Sequence, residues 1–252
     1  MNRIFPKSLL LVISSLLLFS VHNSTSYAVA PSEDYKIQYI DGQKVLYDNT
    51  NGITYVKAVK LDGTEVSLEE YKLVLEDSKR LRTSRLSSKT LELNPHNDIV
   101  PLDVVSTIKY KETSKWTELM NPRRATPTTD CRNSASACTI KLEQGISTSE
   151  EFSINVTTLE MPIISSNASF SWTTSATSSK TTGTDLAVPK GKKGYLTWAP
   201  KYNFTKGDLK HYVTLPGGDF RLVKEKKGEW GASPATTAMG FADGVIALAI
   251  EK

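Results

Sequence analysis

The residues that could do chemistry are few and widely spaced. Cys131 and Cys138 are the only cysteines, with six residues between them. In an oxidising compartment an isolated close pair of this kind predicts a disulfide. Two thiols with no histidine nearby cannot complete the tetrahedral ligand set that zinc requires. We therefore expect a bridge that stabilises the fold by about 2 kcal/mol and pins the loop Asp130–Thr139 at the start of the following strand.

Catalysis finds little support in the other side chains. His96 lies in an Asn-Pro-His-Asn loop and His211 in a predicted strand, so both are interpreted as structural histidines. The sequence has no G-x-S-x-G nucleophile elbow, no H-E-x-x-H metal motif and no phosphate-cradling glycine loop. We therefore predict a protein that is not an enzyme, with no catalytic residue, no metal site and no cofactor.

The N-terminal thirty residues predict export. Arg3 and Lys7 give a positive start, and the run Leu9–Val21 is free of charge. Small residues at Ser26 and Ala28 fit signal-peptidase cleavage after Ala28, whereas cleavage after Ala30 would leave proline first. Thirteen residues rise only about 20 Å as a helix, short of the roughly 30 Å core of a bilayer. Residues 1–28 are therefore predicted to be a signal peptide and the protein to be secreted.

The charge balance of the remaining chain argues against nucleic acid as a partner. Residues 29–252 carry 29 basic and 27 acidic side chains, a net charge of only +2. Binding to nucleic acid is typical of strongly basic domains. A length of 224 residues suffices for one large β domain or two small ones.

Short strands with turn chemistry dominate the region 29–125, for which we predict a small α+β fold. An Asp41-Gly42 turn joins Tyr35–Ile40 to the next strand, as expected of a hairpin. Ser67 and Glu70 form an S-x-x-E capping box ahead of apolar residues at helical spacing, which predicts one surface helix.

The region 126–252 is predicted to be an antiparallel β domain, after a linker or an exposed loop at Asn121–Pro127. Strands bounded by Gly and Pro recur about every ten residues, which favours an elongated antiparallel sheet or a β-sandwich. The expected fold class is thus mainly β, with a small N-terminal α+β region. The strands predicted in the second region are Thr139–Leu142, Glu151–Leu159, Ala168–Thr177, Asp185–Val188, Gly194–Trp198, Asp208–Leu215, Phe220–Lys224 and Val245–Ile250.

The stretch 147–184 is unusual, because 19 of its 38 residues are Ser or Thr. From Phe152 to Ser179 only Glu160 carries a charge, and apolar and polar residues alternate in two segments. Such strands can be buried in a sandwich with a hydroxyl-rich outer face. They can equally form a membrane hairpin that joins copies from other subunits into a closed barrel. The candidate membrane-facing residues are Phe152, Ile154, Val156, Ile163, Ile164, Phe170 and Trp172.

A family resemblance rests on this stretch and on the segment that follows it, Val188-Pro-Lys-Gly-Lys-Lys-Gly-Tyr-Leu-Thr-Trp-Ala-Pro200. Together they resemble the C-terminal half of aerolysin-type (ETX/Mtx2-like) β-pore-forming proteins over about residues 138–215. The resemblance implies a Pro-Gly turn that returns the chain from a pore hairpin into a long twisted sheet. The Gly-Tyr-Leu-Thr-Trp-x-Pro strand end is also similar to that of secreted proteins of Gram-positive bacteria without known function.

Two functional classes follow from these observations. The first is a secreted, non-enzymatic binding or structural protein. The second is an oligomerising, membrane-active β-pore protein. The partners expected are accordingly a membrane surface or further copies of the chain, and not nucleic acid.

Overall fold

The computed structural model describes residues 34–87, 106–142, 145–178, 186–215 and 217–251, and Ser32–Lys252 form one compact unit. The predicted signal peptide and His96 lie outside the described residues. The fold is mainly β, as predicted. Among the described residues, no helix combines the length and the apolar character needed to cross a bilayer.

The first region follows the predicted turn and cap signals. Strands β1 (Tyr35–Ile40), β2 (Gln43–Asp48), β3 (Ile53–Lys60) and β4 (Glu65–Val66) precede helix α1 (Leu68–Ser87). The Asp41-Gly42 hairpin is confirmed, with Ile40 paired to Gln43. The N-terminal cap of α1 is confirmed as well, because the Glu70 N–H donates to the Ser67 hydroxyl at 3.1 Å.

The middle of the chain contains one long strand and several very short ones. Strand β5 spans Ser106–Leu119. The short strands are β6 (Arg123–Arg124), β7 (Thr129–Asp130), β8 (Cys138–Ile140), β9 (Ser147–Ser149) and β10 (Glu151–Phe152). Helix α2 (Met161–Asn167) is followed by β11 (Ser175–Thr177) and β12 (Leu186–Val188).

Strand β13 (Lys193–Thr214) organises the sheet, together with β14 (Phe220–Pro234) and β15 (Gly244–Glu251). The first half of β13 pairs with β15, and the second half pairs with β14 and β5. The sequence predicted two separate strands here because Pro200 reads as a break. The proline is tolerated because the partner strand of β13 changes at this point. Pro200 pairs with Gly244 of β15, whereas Tyr202 pairs with Pro234 of β14.

The segment 121–127 is part of this sheet. Arg123 and Arg124 pair with Trp198 and Thr197 of β13, so the predicted linker is hydrogen-bonded structure. Strands from both predicted regions also share the sheet, since β3 pairs with β15 and β5 with β13. The boundary placed after Ala125 therefore falls inside one continuous unit.

Two apolar layers cover opposite faces of the first half of β13. Helix α1 packs on one face, where Tyr71 and Leu75 meet Ala247 and Ala249 of β15. The two-stranded pair β8–β12 covers the other face, where Val188 and Leu186 pack around Trp198. Trp198 is fully buried between strands and cover, which fixes the centre of the fold.

The strands predicted at Glu151–Leu159 and Ala168–Thr177 are wrong over most of their length. Only Glu151–Phe152 and Ser175–Thr177 are strands, and Met161–Asn167 is helical. Pro162 lies in the first turn of α2, where its missing N–H costs nothing, whereas it would interrupt a ladder. The period-2 pattern is local and is overridden by packing against the sheet.

Candidate functional site

A segment of 25 residues pairs with the edge of the sheet through β10, where Phe152 pairs with Gly231 of β14, and then folds back over the sheet. We call residues 150–174 the docked segment. Its two ends are held together by the antiparallel pair β9–β11, in which Ser149 pairs with Ser175 and Ser147 with Thr177. Between these ends the chain lies against β5, β13 and β14. The segment is therefore a long loop whose two ends are joined by the β9–β11 pair.

Most of the predicted membrane-facing residues anchor this segment to the sheet. Phe152, Val156, Ile163, Ile164 and Trp172 belong to one apolar cluster with Tyr110 of β5 and Leu209 of β13. Trp172 is sandwiched between two rings, with centroids 5.6 Å from Phe152 and 5.8 Å from Phe170. Ile154 is exposed and is outside the cluster. The structure thus brings six of the seven residues together as a packed layer.

Gly231 of β14 makes the close approach of this layer possible. A methyl group at its Cα would lie 2.9 Å from Trp172, 3.0 Å from Phe152 and 3.1 Å from Ile164. These distances are shorter than ordinary van der Waals contact, so only glycine leaves room for all three side chains.

Glu160 supplies the main polar anchor of the docked segment. Its carboxylate is about 1% exposed and lies 2.7 Å from Nε2 of His211 and 2.7 Å from Nζ of Lys226. The Thr157 N–H donates to the same carboxylate at 2.7 Å. Burial opposes ionisation of Glu160, but the hydrogen bonds from Lys226 and Thr157 outweigh it, so the pKa of this carboxyl is lowered.

Further hydrogen bonds tie the segment to each strand beneath it. Glu112 of β5 accepts from the Ser169 N–H at 3.2 Å and from the Thr205 hydroxyl at 2.6 Å. Burial works against ionisation of Glu112, but these bonds prevail and lower its pKa. On β14, Ser233 donates to the Thr173 carbonyl at 3.0 Å. Every strand under the segment therefore contributes a polar contact.

The polar side chains of this arrangement contact one another between the docked segment and the sheet. His211, predicted to be structural, has its Nε2 committed to Glu160, and no thiol or hydroxyl nucleophile among the described contacts lies against that ring. Across the described part of the chain, no three His, Cys, Asp or Glu residues are grouped so as to hold a metal ion. What these side chains do is hold the docked segment. Sequence reasoning missed this role, although the lone charge of Glu160 in an uncharged stretch was a signal.

A second feature lies at the end of the long strands. The turn between β13 and β14 exposes four apolar side chains, which we call the tip patch: Leu215, Phe220, Leu222 and Val223. Phe220 is 63% exposed and Val223 is 54% exposed. The ammonium group of Lys109 lies 6.0 Å from the centre of the Phe220 ring and 5.4 Å from that of Tyr212.

The surroundings of the tip patch are basic. Arg221 and Lys224 alternate with the apolar residues along β14, and both are exposed. Asp219 is the single acidic residue between Thr214 and Lys224. The pattern of Phe220–Lys224 predicted a strand but did not indicate this exposed patch. The telling signal was three apolar residues beside a Pro-Gly-Gly turn, where a solvated hairpin end is usually polar.

The predicted disulfide is confirmed between Cys131 and Cys138. Cys131 is buried under the first half of β13. Its N–H donates to the Lys192 carbonyl at 2.9 Å, and its own carbonyl accepts from the Gly191 N–H at 3.0 Å. The bridge therefore fixes the turn 189–192 as well as the loop that it closes.

Comparison with known proteins adds a family without an assigned function. A family of unknown function (DUF6060) is similar to this chain over residues 106–211, which span β5, the docked segment and most of β13. A search of curated proteins and a search of solved structures each found no match. The similar region therefore contains the docked segment and two of the strands on which it lies, and β14 and β15 follow it in the chain.

Proposed function

We propose that this is a secreted, non-enzymatic protein that binds anionic membrane surfaces through the tip patch. The observation that carries the proposal is the exposure of Phe220, Leu222 and Val223 among the cations Lys109, Arg221 and Lys224. Exposed apolar side chains on a soluble fold commonly mark a contact surface. Apolar groups interleaved with cations match the chemistry of an interface where acyl chains lie beneath anionic headgroups.

The energetics fit reversible attachment. Each Lys or Arg near an anionic leaflet contributes about 1 kcal/mol, so three of them contribute about 3 kcal/mol at low salt. Partial burial of the phenyl, leucyl and valyl groups adds a few kcal/mol more at about 25 cal/mol per Å². Neither contribution alone holds a protein on a bilayer, which makes binding sensitive both to lipid charge and to the apolar residues.

Co-sedimentation with vesicles tests this function. The mature protein should partition onto vesicles containing phosphatidylglycerol and much less onto pure phosphatidylcholine. Phe220→Ser with Leu222→Ser should lower the partition coefficient about tenfold or more. The matched control is Ile154→Ser with Leu159→Ser, which removes two apolar side chains of the docked segment that are even more exposed than Phe220 and Leu222. Equal partitioning of the wild type onto both lipids, or of both double variants, contradicts the proposal.

Pore formation is a second candidate function, and a specific observation favours it. The docked segment is an uncharged excursion apart from Glu150, Glu151 and Glu160, and the β9–β11 pair already joins its ends. The segment could therefore pair as a hairpin once the two-residue ladder between β10 and β14 and the apolar contacts with the sheet are broken. In lipid such a hairpin must join other copies into a closed barrel.

Dye release separates this candidate from simple binding. Micromolar protein should release dye from vesicles if a pore forms, and the half-exposed Phe170→Asp should abolish release while the circular dichroism stays unchanged. Leu73→Asp, an exposed change on α1, is the control and should leave release intact. Binding without release on several lipid mixtures would refute the pore and leave the first function standing.

A further inference from the structure

A groove of about 780 Å³ lies at the opposite end of β13 from the tip patch. It is bordered by Lys193, the first residue of β13, whereas the tip follows Thr214, the last. Twenty-two residues separate the two ends along about 70 Å of strand. The volume falls within the roughly 300–1,000 Å³ typical of small-ligand sites.

The floor of the groove lies on the face of the sheet against which the β8–β12 pair also packs. Alternate residues of β2 and β3 form it, namely Val45, Tyr47, Thr54 and Val56, with Ile250 of β15 beside them. Tyr47 pairs with Thr54, and Thr54 pairs with Ile250, so these side chains form a row across one face. The β8–β12 pair covers the neighbouring part of the same face. The surface forms a step where this pair ends.

The wall at this step is cationic. Lys190 and Lys192 stand on the turn 189–192, and both are exposed. Among the described residues, neither forms an ion pair. Arg132 and Lys193 also line the wall, but they share Asp130 at 2.7 Å and 3.7 Å. The free positive charge of the groove is therefore carried by two lysine side chains.

The acidic residues at the groove do not neutralise the positive charge of the lysine wall. Glu251 borders the groove but accepts from the Thr128 hydroxyl at 2.9 Å and lies 3.6 Å from Arg124. Asp41 lies at the opposite rim, on the hairpin turn between β1 and β2. An anion would thus be drawn to the lysine wall and away from the far rim.

The hydrogen-bonding groups and the ring that line the groove indicate which kind of anion it can bind. The N–H groups of Gly191 and Lys192 are used within the fold, at 3.0 Å to the Cys131 carbonyl and 3.2 Å to the Pro189 carbonyl. The turn therefore offers no backbone cradle of the kind that binds a phosphate group. Gln38 and Gln43 add side-chain amides at the β1–β2 side, and Tyr47 adds a ring to the floor.

We propose that this groove binds an acidic oligosaccharide, with carboxylate or sulfate groups against Lys190 and Lys192. The sugar rings would lie on the floor around Tyr47, and their hydroxyls would meet Gln38, Gln43 and Thr54. Two separate ammonium groups suit charges that are spaced along a chain, since each lysine acts as an independent point charge. The site is independent of the tip patch and of any membrane.

Calorimetry with matched sugars tests the proposal on the mature protein. Tetragalacturonate and a sulfated heparin tetrasaccharide are the acidic probes, and fully methyl-esterified tetragalacturonate is the neutral one. At least one acidic probe should bind about tenfold or more tightly than the neutral probe. Lys190→Gln with Lys192→Gln should remove that difference, and Lys111→Gln with Lys115→Gln, a charge-matched change on β5, should not.

Three results would overturn the proposal. The first is equal binding of acidic and neutral probes, and the second is unchanged binding by the Lys190→Gln, Lys192→Gln variant. The third is competition by inorganic sulfate at the same concentration as the sugar, which would reduce the site to a place for any anion. Phe220→Ser with Leu222→Ser should leave sugar binding unchanged. A failure of the sugar proposal can therefore be distinguished from a failure of the membrane proposal.

Discussion

The ammonium group of Lys226 donates a hydrogen bond of 2.7 Å to Oε2 of Glu160, a carboxylate that is almost completely buried. The same ammonium group donates to the Asn155 carbonyl at 2.6 Å. One lysine of β14 therefore holds both the loop before α2 and Glu160, the N-cap residue of α2. This contact joins the docked segment to the sheet, so a substitution at Glu160 tests how firmly the segment is held.

Removal of the Glu160 charge should loosen the docked segment. Glu160→Gln leaves the half-buried Lys226 without its charged partner, and we expect a loss of about 2 kcal/mol in the free energy of unfolding. Urea unfolding measures the loss, and limited proteolysis should show faster cleavage within residues 150–174. Glu225→Gln is the control, because Glu225 is an exposed acid of the same strand that pairs with Lys210. Equal effects of the two substitutions would contradict the anchoring role of Glu160.

The Glu160 contribution should depend on pH in a defined direction. Its pKa is lower in the folded protein than the ordinary value of 4.5, so the folded state binds the proton less readily than the unfolded chain. The stabilisation is therefore complete above the unfolded pKa and is lost as pH falls through the folded pKa. The difference in unfolding free energy between wild type and Glu160→Gln should shrink as pH falls below about 4.5. A difference that grows on acidification would contradict this linkage.

Gly231→Ala should push the aromatic layer off the sheet. The new methyl group meets Trp172, Phe152 and Ile164 at 2.9–3.1 Å, and overpacking of this kind costs about 1–3 kcal/mol. Urea unfolding measures the cost. In a Trp172→Ala background the same substitution should cost less, because the closest neighbour is gone. Strict additivity of the two changes would show that Gly231 does not act through Trp172.

The turn 189–192 should lose its support when the disulfide is removed. Cys131→Ser with Cys138→Ser opens a bridge of sequence separation 7, for which we expect a loss of about 2 kcal/mol. Thermal unfolding with and without dithiothreitol measures it, and the reductant should affect only the wild type. A double variant as stable as the oxidised protein would contradict a structural role for the bridge.

Local signals predicted the elements that are stabilised locally. The Ser67–Glu70 cap, the Asp41-Gly42 hairpin and the Cys131–Cys138 bridge each depend on residues a few positions apart. Strand β13 could not be predicted as one element, because its continuity through Pro200 depends on partners from β15 and β14 that follow later in the chain.

The same limit applies to the docked segment. Its apolar residues were identified from the alternation around Phe152 and Trp172, and the structure places both in one cluster. Their partners were not predictable, since Lys226 and Gly231 lie more than sixty residues from Glu160 and Ile164. The period of two therefore identified most of the residues that pack on the sheet, but it placed the exposed Ile154 among them and did not indicate helix α2.

The central claim, that the tip patch contacts an anionic membrane, is tested most directly by an environment-sensitive dye at Leu222. Both native cysteines are paired, so Leu222→Cys introduces the single free thiol for labelling. Vesicles with phosphatidylglycerol should shift the emission to the blue and raise its intensity, and phosphatidylcholine alone should not. The same dye at Thr64→Cys, on the exposed turn before β4, should not respond. An unchanged spectrum at Leu222 on the anionic vesicles, or an equal response at both positions, would contradict the account.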